Sequence, residues 1–517
     1  MKFSTRFFKL LLLFYSISQL LQAQQLAQLP VKLIENNKQV SAQTLDKTAT
    51  LAKIGSVVDI YDNLLEEGKW ETVNNGKKRC ILAYTSPDVQ AINLYFIDVK
   101  LPKGSTLKLK GNYRNQEIGP YQAEHVNNQI LSSSFVYGDY VEVIFEVDEE
   151  YISQTNIIIE AAGLAVRNVL PKDIRKDFGD ASSCNVNISC EEGDLWEQVG
   201  RSVVRILIRN GNAIGWCSGV IVNNTQQDFT PYILSAMHCG LNEATEEIIP
   251  QRNFDQWIFF FNYETSDCTG AFSAGDISEQ IMIGADLISH SDDIGGETGS
   301  DFLLLRLKNN IPQSFAPVFA GWSNAEQIVS DGVSIHHPQG DVKKISTFSS
   351  SIESSQFSQN SSIRNTHWRV VWTQTENGFG ITEGGSSGAP LFNNAGQVIG
   401  TLTGGLSNCN RTQGFDLFGK VAFHWRSNGS SSQRRLVNWL DPVGLNITSF
   451  PSVDYSGNIV TNTENNFVVE RLNVFPNPVN DWVNIEIPQS IQKLVVVEYG
   501  ASIQVAPIGT FGSFSKK

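Results

Sequence analysis

Thr382-Glu383-Gly384-Gly385-Ser386-Ser387-Gly388-Ala389-Pro390 is a glycine-flanked serine that runs into the apolar pair Leu391-Phe392 and a turn at Asn393-Asn394. A serine hydroxyl attacks a carbonyl only from a tight turn with backbone N–H groups aimed where the oxyanion forms, and the glycines around Ser387 permit such a turn. On these residues alone an ordinary Gly/Ser loop between two strands is at least as good a reading, because both residue types are common in loops. The rest of the chain decides between the two.

Two other strand ends offer partners. Tyr232-Ile233-Leu234-Ser235-Ala236-Met237-His238-Cys239 ends an apolar strand on a histidine, and of the seven histidines His238 alone has that setting. A lone histidine is more often structural than catalytic, and His336-His337, His367 and His424 read as structural or loop residues. Ser300-Asp301-Phe302-Leu303-Leu304-Leu305 puts an aspartate at the head of an apolar strand, where it would ordinarily be a strand-start cap. Its place between His238 and Ser387 gives the order His, Asp, Ser, which is that of the chymotrypsin-type triad.

Lys2, Arg6 and Lys9 precede the apolar run Leu10-Leu11-Leu12-Leu13-Phe14, and Ala23 stands before Gln24-Gln25, the pattern of a secretory signal peptide over residues 1–23. That run is far shorter than the roughly 18 apolar residues of a membrane span, so an exported protein is expected, secreted or at the cell surface. A length of 517 residues is too great for one core and implies three or more folded units. The net charge of −14 argues against nucleic acid or an anionic membrane as partner. Hydrophobic content of 41% with 18% charged residues describes a globular, strand-rich chain. Seven cysteines in an exported chain imply disulfides with one left over. No CxxC pair or zinc-like His/Cys spacing is present, and no metal or cofactor is expected.

Residues 24–176 alternate short strand patterns with turns, as in Ala91-Ile92-Asn93-Leu94-Tyr95-Phe96-Ile97, Gly119-Pro120-Tyr121 and Tyr140-Val141-Glu142-Val143-Ile144-Phe145. Period-two alternation between Gly/Pro turns predicts a small β-sandwich. Lys172-Asp173-Ile174-Arg175-Lys176-Asp177 reads as an exposed charged linker. From Cys184 the strands become densely apolar, as in Val203-Val204-Arg205-Ile206-Leu207-Ile208 and Trp216-Cys217-Ser218-Gly219-Val220-Ile221-Val222, which predicts a barrel or sandwich and an all-β chain.

As a set, Ser183-Cys184-Asn185 with Cys190, Ala236-Met237-His238-Cys239-Gly240, Ser300-Asp301-Phe302, Ile335-His336-His337-Pro338, Gly384 to Ala389, Gly404-Gly405 with Cys409, and Asp416-Leu417-Phe418-Gly419-Lys420 resemble the lysyl endopeptidase branch of the trypsin-like serine proteases, secreted bacterial enzymes that cleave after lysine. The resemblance implies a chymotrypsin-like double β-barrel over residues 177–450, with 24–176 as its pro-region. Arg471-Leu472-Asn473-Val474-Phe475-Pro476-Asn477-Pro478-Val479-Asn480-Asp481 resembles the start of a type IX secretion sorting domain. A short β-rich sorting domain is therefore expected at 470–517, behind a linker at 451–469, although the tail after Val497 departs from that pattern. The implied partners are protein or peptide substrates and, through this domain, the secretion machinery; the chain is expected to be a monomer.

The same resemblance implies acyl transfer by His238, Asp301 and Ser387, with an oxyanion hole from the N–H groups of Gly385 and Ser387. Thr403-Gly404-Gly405 would pair with the substrate backbone as an added strand. It also implies the disulfides Cys184–Cys409, Cys190–Cys268 and Cys217–Cys239, leaving Cys80 free. In trypsin a pocket aspartate lies six residues before the nucleophile; here that residue is Ile381, and the resemblance assigns the role to Asp416. Lysine-specific members carry a histidine where this chain has Thr403, so arginine joins lysine as a candidate. In trypsin the residue just before the nucleophile is an aspartate that captures the new amino terminus; here it is Ser386. A zymogen matured near Lys176, with Lys172 and Arg175 as alternatives, is expected. The competing readings are a protease of broad specificity and an inactive binding or adhesion protein on a protease fold.

Overall fold

In the computed structural model, the described residues are 29–36, 51–73, 76–167, 169, 181–242, 244–269, 280–410 and 414–460, together with three short strands between 474 and 515. The signal-peptide stretch 1–23, the processing candidate Lys176 and most of 470–517 lie outside them. Compact packing divides the chain into residues 1–462 and 463–517.

The amino-terminal unit contains β1 (Ala52–Asn63), β2 (Lys77–Thr85), β3 (Ala91–Lys100), β4 (Thr106–Gly111), β5 (Tyr140–Asp148) and β6 (Asn156–Ala165). β5 buries every second residue, as its alternation requires, and pairs antiparallel with β2 and β4. β6 lies between β1 and β3 in a second sheet. Leu82, Leu94, Phe96, Leu107, Leu109, Val143, Phe145, Ile157 and Ile159 fill the space between the sheets, as a sandwich demands. Cys80 is free and buried there; its thiol donates to the Leu64 carbonyl, and burial pushes its pKa up to about 12.

The first barrel half follows with β7 (Val203–Asn210), β8 (Ala213–Val222), β9 (Tyr232–Ser235), β10 (Ile258–Phe261), β11 (Ala285–His290) and β12 (Leu303–Leu307), in the order β10-β7-β8-β9-β12-β11. The second half has β13 (Gly332–His336), β14 (Lys344–Phe348), β15 (His367–Val370), β16 (Pro390–Asn393), β17 (Val398–Gly405) and β18 (Asp416–Lys420), in the order β14-β13-β16-β17-β18-β15, and helix α1 (Val421–Arg426) closes it. The chain is all-β, as expected. Val220, Leu234, Phe302, Leu304, Trp322, Ile335, Phe392 and Val398 form the core shared by the two halves.

β7 is buried along nearly its whole length, which accounts for its dense apolar residues; its two arginines, Arg205 and Arg209, are buried as well. Val204, Ile206 and Ile208 face the first barrel's interior. Leu207 instead joins Ile214, Trp216, Ile258 and Phe260 in a cluster with Ile54, Tyr95, Phe135 and Ala161 of the amino-terminal unit. β1 also extends the barrel sheet by pairing with β8, Ser56 opposite Ala213 and Ala52 opposite Trp216.

The strands run on past Phe450. Ser452–Asp454 and Ile459–Val460 form a small sheet with Val318–Phe319, so the first part of the stretch read as linker belongs to the folded unit. In 463–517, Val474–Phe475 and Trp482–Ile485 pair antiparallel, as do Trp482–Ile485 and Phe514–Ser515.

Candidate active site

His238 sits on a short turn, Met237–Gly240, directly after β9, and Asp301 stands just before β12. Because β9 and β12 are paired strands, the two residues meet at one end of the sheet. The Asp301 carboxylate accepts the His238 backbone N–H at 3.0 Å and the His238 Nδ1–H at 2.7 Å. That bond places the proton on Nδ1 and leaves Nε2 as the acceptor. Nε2 is buried and has no hydrogen-bond partner among the described residues, so the structure shows no bond between it and the Ser387 hydroxyl.

Asp301 adopts φ +61°, a left-handed conformation that costs an ordinary residue about 1–3 kcal/mol. Asp293 stabilises it: its carboxylate accepts the Asp301 N–H at 2.7 Å and the Gly296 N–H at 3.0 Å. Burial, and then the charge of Asp301, push the Asp293 pKa up to about 6. On the other flank, the Ser300 hydroxyl lies 2.7 Å from His424 Nδ1, and His424 Nε2 lies 3.1 Å from Thr401 Oγ1.

Ser387 lies in the loop before β16 and is 8% exposed. Its carbonyl accepts the Ser218 N–H from β8 at 2.8 Å, which fixes the loop against the strand whose Cys217 is bridged to Cys239, the residue after His238. Gly388 packs against Ser235 and Ala236 so closely that a Cβ there would fall 2.1 Å from Ser235 Oγ. The loop is thereby pressed onto the turn that carries His238. The other disulfides are Cys184–Cys409 and Cys190–Cys268.

Asp416 opens β18 opposite Gly405 of β17 and is fully buried. Its Oδ2 accepts the Trp372 indole N–H at 2.7 Å, the Thr382 hydroxyl at 2.7 Å and the Ser407 hydroxyl at 2.6 Å. Its Oδ1 accepts the Ser407 N–H at 3.2 Å, and together these donors fix the carboxylate in place. A Cβ on Gly405 would lie 2.1 Å from Asp416 Oδ1, so the close approach of β17 to this carboxylate requires glycine. Thr403 bonds to His367 Nε2 at 3.0 Å, and burial lowers the His367 pKa to about 4, keeping the ring neutral.

The histidines read from sequence as structural are buried and bonded to site loops. His336 bonds to Ser386, His367 to Thr403 and His424 to Ser300. Sequence reading missed Asp293, whose role depends on a turn that returns it to Asp301, and no local motif marks it. Among the described residues no cluster of His, Cys, Asp or Glu could hold a metal ion.

Residues 178–419 match the family described as the lysyl endopeptidase C-terminal domain. The lysyl endopeptidase of Pseudomonas aeruginosa PAO1 is 31% identical over 246 residues, 46% of this chain and 48% of that protein. The chain thus spans about half the length of the curated relative it matches. Among solved structures, the thermostable serine protease AL20 from an extremophilic microorganism is 13% identical, with TM-score 0.30, over 43% of this chain and 91% of its own. Protease Anisep of Arthrobacter nicotinovorans is 13% identical, with TM-score 0.30, over 43% and 90%. His238, Asp301, Ser387 and Asp416 all fall within 178–419, the span over which the chain is similar to the lysyl endopeptidase C-terminal domain.

Proposed function

We propose that this protein is a secreted serine endopeptidase, made as a zymogen, that hydrolyses peptide bonds on the carboxyl side of lysine, with arginine as the second residue to test. The observation that carries the reading is the buried His238–Asp301 pair, which leaves Nε2 unpartnered beside the Ser387 loop. In this reading Nε2 takes the Ser387 proton as the hydroxyl attacks the scissile carbonyl, then returns it to the leaving amine. Asp301 holds the Nδ1–H tautomer and stabilises the imidazolium. The N–H groups of Gly385 and Ser387 receive the oxyanion, and water then hydrolyses the acyl-enzyme by the same route in reverse.

Asp416 supports the lysine preference. An ammonium entering a dehydrated pocket needs an anionic partner, because burying it unpaired costs several kcal/mol. A fluorophosphonate probe tests the reaction class: labelling of the wild type and none of Ser387→Ala is expected. An unlabelled wild type would favour a binding protein on a protease fold.

A further inference from the structure

We infer that Ser218 and His336 are positioning residues that hold the Gly384–Ser387 loop in its oxyanion-binding conformation without help from a freed amino terminus. The inference rests on the serine-protease reading of Ser387.

Ser218 is fully buried on β8. Its hydroxyl donates to the Gly385 carbonyl at 2.9 Å and accepts the His337 N–H at 3.0 Å, so one oxygen ties the loop to the turn after β13. That turn grips the loop a second time, since the Gln339 N–H donates to the Gly384 carbonyl at 2.6 Å. The Gly384–Gly385 peptide is trans, so its N–H points opposite to its carbonyl. With the carbonyl held by Gln339, the Gly385 N–H is turned away from the 337–340 turn, and no other described group engages it. Gly385 has φ +95°, and a Cβ there would stand 2.9 Å from both the Gly340 nitrogen and the His337 oxygen. Both carbonyls that set the orientation of Gly385 are thus anchored.

Ser386 occupies the position at which trypsin pairs an aspartate with its new amino terminus. Here its Oγ lies 2.7 Å from His336 Nδ1, and His336 Nε2 lies 3.0 Å from Ser346 Oγ. Ser346 donates to the Ile381 carbonyl at 3.3 Å, and Ser386 Oγ accepts the Glu383 N–H at 3.2 Å. One proton assignment satisfies the whole chain: Ser386 O–H to Nδ1, Nε2–H to Ser346, Ser346 O–H to the Ile381 carbonyl. An imidazole bonded to two serine hydroxyls therefore occupies the place of an ion pair, and it is already bonded in the uncut chain.

The test compares Ser218→Ala, His336→Ala and His336→Asn, whose amide oxygen replaces Nδ1 as acceptor, with the wild type. The expected result for both alanine variants is a fall in kcat of about tenfold or more with KM nearly unchanged, and an equal loss of affinity for a peptide aldehyde, which binds as the oxyanion. His336→Asn should recover part of it. Unchanged aldehyde affinity in Ser218→Ala and His336→Ala would overturn the inference. A second measurement does not depend on these variants folding. The chain kept uncut by Lys172→Gln, Arg175→Gln and Lys176→Gln should label with a small fluorophosphonate within about tenfold of the cut enzyme's rate. An unlabelled uncut chain beside a labelled cut one overturns the inference alone, whereas no labelling of either overturns the reading of Ser387.

Discussion

In the proposed mechanism Ser387 acts only through its neighbours, since an unassisted serine hydroxyl is a weak nucleophile and Nε2 of His238, without a partner among the described residues, is the proposed base. Ser387→Ala, His238→Ala and Asp301→Asn should each lower kcat on a lysyl peptide by about 10⁴-fold or more, with losses that do not add when combined. The fold should survive each change, as circular dichroism would check; substantial hydrolysis by Ser387→Ala would remove that residue from its role. Asp416 is a second case of a residue defined by its contacts. Its carboxylate links Trp372 and Ser407 to Thr382 at the start of the Ser387 loop, so the proposed pocket and the proposed nucleophile share one network. Asp416→Asn should lower kcat/KM for lysyl substrates by at least about 100-fold, the equivalent of about 3 kcal/mol of lost charge pairing. Hydrolysis of an ester of an uncharged residue should fall far less. Unchanged lysyl hydrolysis would refute the pocket assignment and leave the triad intact.

The site is built from loops that strands deliver to one place, and buried imidazoles tie those loops down. Burial lowers the pKa of His290 and His367 to about 4 and holds those of His337 and His424 well below the usual histidine value, whereas an unfolded histidine titrates near 6.5. Groups with depressed folded pKa values bind protons only on unfolding, so the stability they contribute is complete above about pH 6.5 and is lost as pH falls toward 4. Asp293 and Asp341, both raised to about 6 by burial first, act in the opposite direction over much of that window. The four imidazoles outnumber the two carboxyls, so the net effect is proton uptake on unfolding as the pH falls. Denaturant titrations between pH 5 and 7 should show stability falling on acidification, and a flat or inverted profile would contradict the buried-neutral assignment. The same elements explain what the sequence could reveal. β5 and the strands just before His238 and just after Asp301 were legible because a half-buried strand alternates and a nearly fully buried one is mostly apolar. The contacts of Ser218 and His336 were not, because each joins residues far apart in the chain, and that of Asp293 was not, because it runs to a backbone N–H that carries no residue signature.

For the whole molecule, the deciding contact is that between the amino-terminal unit and the first barrel half. β1 covers an edge of β8, and Ile54, Tyr95 and Phe135 cover Leu207, Trp216 and Phe260, so without this unit the barrel would show an open strand edge and an apolar face. Residues 177–460 produced alone should therefore aggregate or refold poorly, and supplying residues 24–176 as a separate chain during refolding should restore soluble enzyme; efficient refolding of 177–460 alone would oppose this. One buried charge makes the interface testable in a single residue. Glu160 lies at a register shift in β6, the kind of irregularity that re-aims a side chain. Its carboxylate accepts from Arg209 at 3.1 Å and from Gln256 at 2.7 Å, and it pairs with Arg252. Arg209 is itself buried over the Tyr95 ring, so Glu160→Ala leaves its guanidinium without a counter-charge at the centre of the interface. Breaking a buried pair from one side costs about 3–5 kcal/mol, more than replacing it with matched apolar groups. In a chain cut between 167 and 181, Glu160→Ala should weaken the association of the two pieces by at least about 100-fold, read by size-exclusion chromatography over a dilution series. A double variant, Glu160→Leu with Arg209→Met, should recover much of the association. Equal association of wild type and Glu160→Ala would show that the apolar cluster and the strand pairing hold the interface by themselves.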